Sequence, residues 1–229
     1  MLSVVIGAVR ASLVTFVLCG LLYPLSLTGV AQLFLPFQAN GSLERGADGV
    51  VIGSRLIGQQ WNEPQWFHGR PSATIAVDPS DPGKTVPAPY NAANSTGSNL
   101  GPTSKTLADR LMNDRAALER AQPELAGAVL PADMLTMSAS GLDPDITPAN
   151  AALQVARVAR ARGVPAEQIE RLLEQHVTGR SLGIFGEPRV NVLALNLAIE
   201  GVCPSTAGRR GPCALNGARS WAEHSAMTP

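Results

Sequence analysis

The chain is poor in aromatic residues and in cysteine, and it has no net charge. Acidic and basic side chains balance at 18 each, which excludes the basic excess that nucleic acid or an anionic membrane surface selects. No cysteine lies between Glu44 and Gly201, so that stretch holds neither a disulfide scaffold nor a Cys-ligated metal site. Cys203 and Cys213 can pair if the tail is extracytoplasmic. His68, His176 and His224 are scattered without ligand spacing, and no Gly-x-Ser-x-Gly elbow supports hydrolysis. Aromatics at 4%, with 22 Gly and 18 Pro, argue for a loop-rich α+β domain rather than a helical bundle. The absence with the largest consequence is local: no charged residue occurs from Ala11 to Leu43, between Arg10 and Glu44.

A helix needs about 20 mostly apolar residues to cross a hydrocarbon core about 30 Å thick. Ala11 to Phe37 supplies them. A cleaved signal is the competing reading, with Gly29-Val30-Ala31 as its cut site. The apolar run continues through Leu33, Phe34, Leu35 and Phe37, which argues for an uncleaved anchor. Pro24 lies mid-span, removes a backbone donor and predicts a kink, while Gly20, Ser26, Thr28 and Gly29 are small enough for a neighbouring helix to approach. Arg10 on one side and Arg45 and Arg55 on the other leave the orientation open. The expected organisation is an N-terminal tail over 1–10, a single transmembrane helix over 11–37, an α+β soluble domain over 38–201 and a disordered tail over 202–229.

Within the soluble part, Gly49–Ser54 reads as a strand after the Asp48-Gly49 turn. Val77 to Pro89 is Pro/Asp/Gly-rich and reads as a surface loop, as does the Asn/Ser/Gly-rich stretch from Tyr90 to Thr103. Ser104 caps a helix to about Gln122, with Leu107, Leu111, Leu118 and Ala121 on one face. Thr147 with Pro148 starts a second helix that Gly163 stops near Arg162. Its spacing predicts Ala152, Val155, Val158 and Ala159 on the core face, with Arg157, Arg160 and Arg162 elsewhere. Pro165 opens a third helix to about Val177, and Val190 to Ile199 is apolar with Asn191 and Asn196 interleaved.

Few segments carry chemistry. Pro82-Gly83-Lys84-Thr85 is no phosphate loop, because Asp78 stands where that motif needs glycine and no apolar strand immediately precedes it. Ser138-Ala139-Ser140-Gly141-Leu142-Asp143 offers two hydroxyls and a glycine to a phosphate or a partner backbone, and equally reads as a structural turn before the Thr147 helix. Trp66, Phe67 and Arg70 form either part of a small core or an interface hot spot.

An ordered series of motifs runs from about Arg10 to Glu200: Tyr23-Pro24, Gln38–Leu43, Gly53-Ser54, Leu56–Gln59, Phe67–Ala73, Tyr90-Asn91, Gly97–Pro102, Pro131–Asp133, Ser138–Pro144, Gln154-Val155, Arg157–Ala159 and Glu187–Leu193. This series resembles the C subunit (KdpC) of the Kdp high-affinity potassium-transporting P-type ATPase. The resemblance implies a non-catalytic, single-pass subunit in the bacterial inner membrane, beside lipid. Its implied partners are a potassium-channel-like A subunit, a P-type ATPase B subunit and a small F subunit, with no nucleic acid. It implies a catalytic chaperone that raises the B subunit's affinity for ATP. It implies no tightly bound cofactor and no metal, with Ser138, Ser140, Gly141, Asp143 and Gln154 as candidate ATP contacts. Partner contacts are expected among Pro24, Trp66, Phe67, Arg70, Asn99, Arg157 and Arg189. Asp145 stands where the family carries histidine, adding negative charge beside the Ser138–Asp143 segment. The family places this domain outside the cytoplasm, over the potassium entrance, whereas ATP is inside. The alternatives from other classes are a cytoplasm-facing nucleotide-binding regulator and a secreted binding protein.

Overall fold

The computed structural model describes residues 1–46 and 49–202. The Cys203–Cys213 pairing, His224 and the tail expected beyond Val202 lie outside the described residues. The chain divides into two compact units, Met1–Ser54 and the remainder from Arg55.

The first unit is an apolar helix followed by a small ribbon. Helix α1 (Leu2–Thr15) continues through a π-type stretch, Phe16–Leu22, into α2 (Tyr23–Phe34). Together they make 33 residues, roughly 50 Å at the usual rise, enough to cross a bilayer by length and composition. No residue of the three segments is buried. The run thus begins at Leu2 and includes Arg10. Pro24 sits in the first turn of α2, and the wider turn immediately before it makes room where a proline ring would meet the carbonyl one turn back. The helix ends at Phe34 because Leu35 precedes a proline and is driven out of helical backbone, to φ −135° and ψ 50°. Pro36 then opens the short α3 (Pro36–Ala39). Strand β1 (Leu43–Arg45) pairs antiparallel with β2 (Val51–Ser54), and the Ser54 hydroxyl donates to Gly41 O (2.7 Å).

The second unit starts with a long irregular segment, 55–74. It continues into a hairpin, β3 (Ile75–Asp78) and β4 (Asp81–Pro87). The sequence read this region as loop because Pro82, Gly83 and Pro87 lie in it. A two-stranded ribbon has free edges, so a proline without an N–H breaks no obligatory bond. The Asp78 carboxylate closes the turn by accepting from Ser80 N–H (2.8 Å) and Ser80 Oγ–H (2.6 Å).

Helix α4 (Lys105–Ala121) follows, its first turn capped by Ser104, whose Oγ accepts from Leu107 N–H. None of its residues is fully buried. The core forms farther on, where α5 (Pro148–Arg162), α6 (Ala166–His176) and α7 (Val192–Glu200) pack beside a three-stranded sheet. Its order is β5 (Asp145–Ile146), β7 (Arg189–Asn191), β6 (Val177–Thr178), all antiparallel. Ala151, Val155, Val158, Ile169, Leu173, Val190, Leu193, Leu195 and Ile199 fill the interior. Thr147 caps α5 and Asn191 caps α7, each accepting from the N–H three residues on. Gly163 closes α5 in the left-handed conformation, φ 66°.

One expectation is corrected on α5. Ala152 is exposed and Ala151 takes its core position. Arg157 and Arg162, expected off the core face, are each only 8% exposed. The reason lies in the irregular segment, whose backbone carbonyls find their donors in these two guanidinium groups.

Candidate functional site

Backbone that belongs to no helix or sheet must still satisfy its polar groups. The segment from Pro64 to His68 does so through side chains of α5 and α7. Phe67, with 0% exposure, donates its N–H to Asn196 Oδ1 (2.8 Å), and its carbonyl accepts from Asn196 Nδ2 (2.9 Å). The next residue repeats the pattern. His68 N–H donates to Gln154 Oε1 (2.8 Å), and His68 O accepts from Gln154 Nε2 (3.1 Å). Two buried carboxamides thus clasp consecutive peptide groups as a neighbouring strand would. Arg157 Nη1 donates to Pro64 O (2.6 Å) and Trp66 O (2.9 Å), and Nη2 to Gln154 Oε1 (2.6 Å). Arg162 donates to Gln65 O (2.9 Å) and Ile199 O (3.0 Å), with its guanidinium 4.5 Å from the Trp66 ring centroid. Burial pulls Arg157 down to about 10, which leaves it charged at neutral pH.

The Ser138–Asp143 turn lies against the other end of this segment. Ser138 N–H donates to Pro71 O (3.1 Å), while its buried hydroxyl has no protein partner. Gly141 N–H donates to Ser138 O (3.3 Å) and Leu142 N–H to Ser140 Oγ (3.1 Å), so the turn spends these donors on itself. Gly141 has φ 69° and is packed against Thr74, Thr96 O and Ser72. Asp143 Oδ2 pairs with Arg70 Nη1 (2.9 Å), and Oδ1 accepts from Asp145 N–H (3.1 Å). Arg70 also reaches the carbonyls of Thr136 and Met137. The Tyr90 hydroxyl donates to Arg70 O (2.7 Å), and burial, followed by the Asp143 charge, pushes the phenol up to about 12. Asp133 anchors the start of α5 by accepting from Thr147 N–H (2.7 Å), Thr147 Oγ1 (3.1 Å) and Asn150 Nδ2 (3.0 Å).

Between the segment, α4 and α5 lies a cavity of about 280 Å³, lined by Gln60, Asn62, His68, Arg70, Tyr90, Gln122 and Gln154 among others. Gln154 faces it with all its hydrogen-bonding positions taken, since Nε2 also donates to Asn150 Oδ1 (2.8 Å).

The structure therefore sorts the candidates read from sequence. Ser138, Gly141, Asp143 and Arg70 meet in one cluster, with Ser140 exposed at its rim. Gln154, Arg157, Phe67 and Trp66 belong to the clasp built by α5 and α7, where Phe67, Gln154 and Arg157 are buried. Arg189 sits apart on β7, paired with Asp145 (3.1 Å). Burial holds the Asp145 carboxyl above its ordinary range despite that partner. Asn99, at φ 51°, and Pro24 are exposed. Asn196, Arg162 and Asp133 escaped the sequence reading as site residues. The signal for Asn196 was an amide inside an apolar helix.

His68 carries the clearest pH dependence. Burial, then the positive Arg157, lowers its pKa from 6.5 to about 4; an Nε2 contact to Glu63 O (3.1 Å) opposes this. Between those two values the unfolded chain takes up a proton that the folded chain refuses. Stability is therefore expected to fall as the pH drops from 6.5 to 4, by up to about 3 kcal/mol. Urea unfolding across that window should show a shallower slope for His68→Gln; an unchanged slope would mean His68 titrates as freely as in the unfolded chain.

Comparison with known proteins bears on this arrangement. A family model described as KdpC, the c chain of a K+-transporting ATPase, matches residues 5–201. The chain is 56% identical over 200 residues to the potassium-transporting ATPase KdpC subunit of Bradyrhizobium diazoefficiens, covering 87% of this chain and 98% of that one. It is 56% identical over 205 residues to the protein of the same description in Rhodopseudomonas palustris, covering 89% and 100%. With that of Methylobacterium nodulans it shares 58% identity over 184 residues, covering 80% and 89%.

Proposed function

This chain belongs to the KdpC family of K+-transporting ATPase c chains, and from that premise we propose that it is the non-catalytic accessory subunit of an ATP-driven potassium uptake complex in the bacterial inner membrane. It assembles there with a potassium-channel-like A subunit, a P-type ATPase B subunit and a small F subunit. The observation that carries this reading beyond family membership is the helix Leu2–Phe34, 33 mostly apolar residues with none buried. Such a surface is stable only against lipid or a partner's helices. The soluble unit sits outside the cytoplasm and acts on the B subunit's ATP affinity as a chaperone, through protein contacts. Support comes from the Ser138–Asp143 turn, whose Gly141 and Leu142 N–H groups are spent internally and whose carboxylate is ion-paired.

A second reading, a cytoplasm-facing nucleotide-binding regulator, has one observation in its favour: Arg70 and Gln154 line a common cavity. The two readings require opposite orientations. Deleting the chain is expected to abolish high-affinity potassium uptake, measured as growth on limiting potassium, with recovery on complementation. Normal uptake without it would overturn the assignment. In a chain whose native cysteines are replaced, single cysteines at the exposed Ser80 and Ser181 should react with an impermeant thiol reagent in intact cells. Labelling only after lysis supports the second reading.

A further inference from the structure

We propose that the cavity between the 55–74 segment, α4 and α5 is a binding site for a neutral, polyhydroxylated molecule the size of one sugar ring. The cavity, about 280 Å³, falls just below the roughly 300–1,000 Å³ of pockets that enclose drug-sized ligands, so it suits a molecule smaller than a nucleotide. It lies wholly in the second unit and is the same for either orientation of the chain.

Unmet buried groups call for a ligand. Gln122, the residue that ends α4, lines the cavity and is only 4% exposed, yet its Oε1 has no hydrogen-bond partner among the described residues. Burying a carboxamide in that state is costly. A half-turn about its terminal bond exchanges Oε1 and Nε2 at little cost, so either end can face the cavity. Arg70, also in the lining, leaves its buried Nε without a partner. The neighbouring amides are occupied: Asn150 Nδ2 donates to Asp133 Oδ2 (3.0 Å), and Asn150 Oδ1 accepts from Gln154 Nε2 (2.8 Å).

Charge and shape select the ligand. Among the described residues of the lining only Arg70 is ionised, and Asp143 already pairs with it (2.9 Å). His68 stays neutral at physiological pH, its pKa lowered to about 4. No carboxylate lines the cavity to hold a cation, and a phosphate brings acceptors alone to an arginine whose charge is met. A hydroxyl both donates and accepts, and two adjacent hydroxyls match the two ends of a carboxamide. Trp61 and Tyr90 add flat apolar walls against which the C–H face of a sugar ring packs. Gln60 and Asn62 are exposed and open the site to solvent.

The test uses the full chain in a detergent without a sugar headgroup. Saturation-transfer NMR with glucose, galactose, mannose and N-acetylglucosamine is expected to show binding of at least one, with a Kd of about 0.1–10 mM. Gln122→Met keeps the length of the side chain and removes both polar ends. It is expected to bind that sugar about 10-fold more weakly, yet to unfold at or above the wild-type urea midpoint, because an unmet buried amide is gone. A disaccharide that binds more tightly than its component sugars would name a glycan end as the source, and weaker binding the free sugar. Binding of none of the four sugars, unchanged binding by Gln122→Met, or a lowered midpoint for that variant would overturn the site. Binding of ATP in place of any sugar would overturn it in favour of the nucleotide reading.

Discussion

Replacing Asn196 by leucine is expected to destabilise the soluble unit by about 2–5 kcal/mol, the cost of leaving a buried N–H and a buried carbonyl without partners. Both groups belong to Phe67, whose side chain is 0% exposed, and water cannot replace the lost amide without opening the core. Leucine keeps the branching of asparagine at Cγ but is bulkier, so overpacking at this fully buried position adds to the loss. Urea unfolding of the detergent-solubilised full chain, followed by tryptophan fluorescence, should show a lower midpoint at unchanged slope. A shift worth less than about 0.5 kcal/mol would mean that the clasp is dispensable. The clasp fixes the whole Pro64–His68 segment. Its release should lower potassium uptake in proportion to the folded chain that survives.

Gly141→Ala is the second large effect. Its backbone is at φ 69°, and an added Cβ would collide with Thr74 Cγ2, stand 2.7 Å from Thr96 O and lie 3.2 Å from Ser72 Oγ. Three stretches of chain meet at this point, so none can yield alone. The expected loss is about 2–4 kcal/mol, combining left-handed strain with overpacking. Gly163→Ala is the matched control. It has φ 66° but nothing within 4 Å of an added Cβ, so strain alone applies, about 1 kcal/mol. Comparing the two urea midpoints isolates the crowding. Equal losses would show that Thr74, Thr96 and Ser72 do not crowd Gly141.

What was legible in the sequence follows from how far each signal reaches. Ser104 and Thr147 each cap a helix by bonding the backbone three residues on, and Gly163 ends a helix with its own φ. Such signals are complete within one turn of chain. The β3–β4 hairpin was not legible, because Pro82 and Pro87 read as loop wherever strand edges are assumed to need every donor. Leu35 and Pro36 end the long helix before Phe37, a stop that an apolar count alone does not register.

The candidate site divides the same way. The motif series from Tyr23 to Leu193 led to the KdpC family, and the roles of its residues did not follow from it. Arg157 and Arg162 read only as lying off the core face until Pro64–Trp66 was placed across them. Gln154 read as a candidate nucleotide contact, and no local signal foretold that its amide would bond His68, Asn150 and Arg157.

The sequence by itself determined that an uncharged apolar run needs lipid or a partner, that three helices follow in a stated order, the first two capped by Ser104 and Thr147, and that the chain lies in one family. Only the tertiary structure decided which polar side chains are spent inside. The clasp joins Phe67 to Asn196 and His68 to Gln154, separations of 129 and 86 residues. A buried amide is stable only when its partners arrive from elsewhere in the fold, and no local pattern of residues records where they come from.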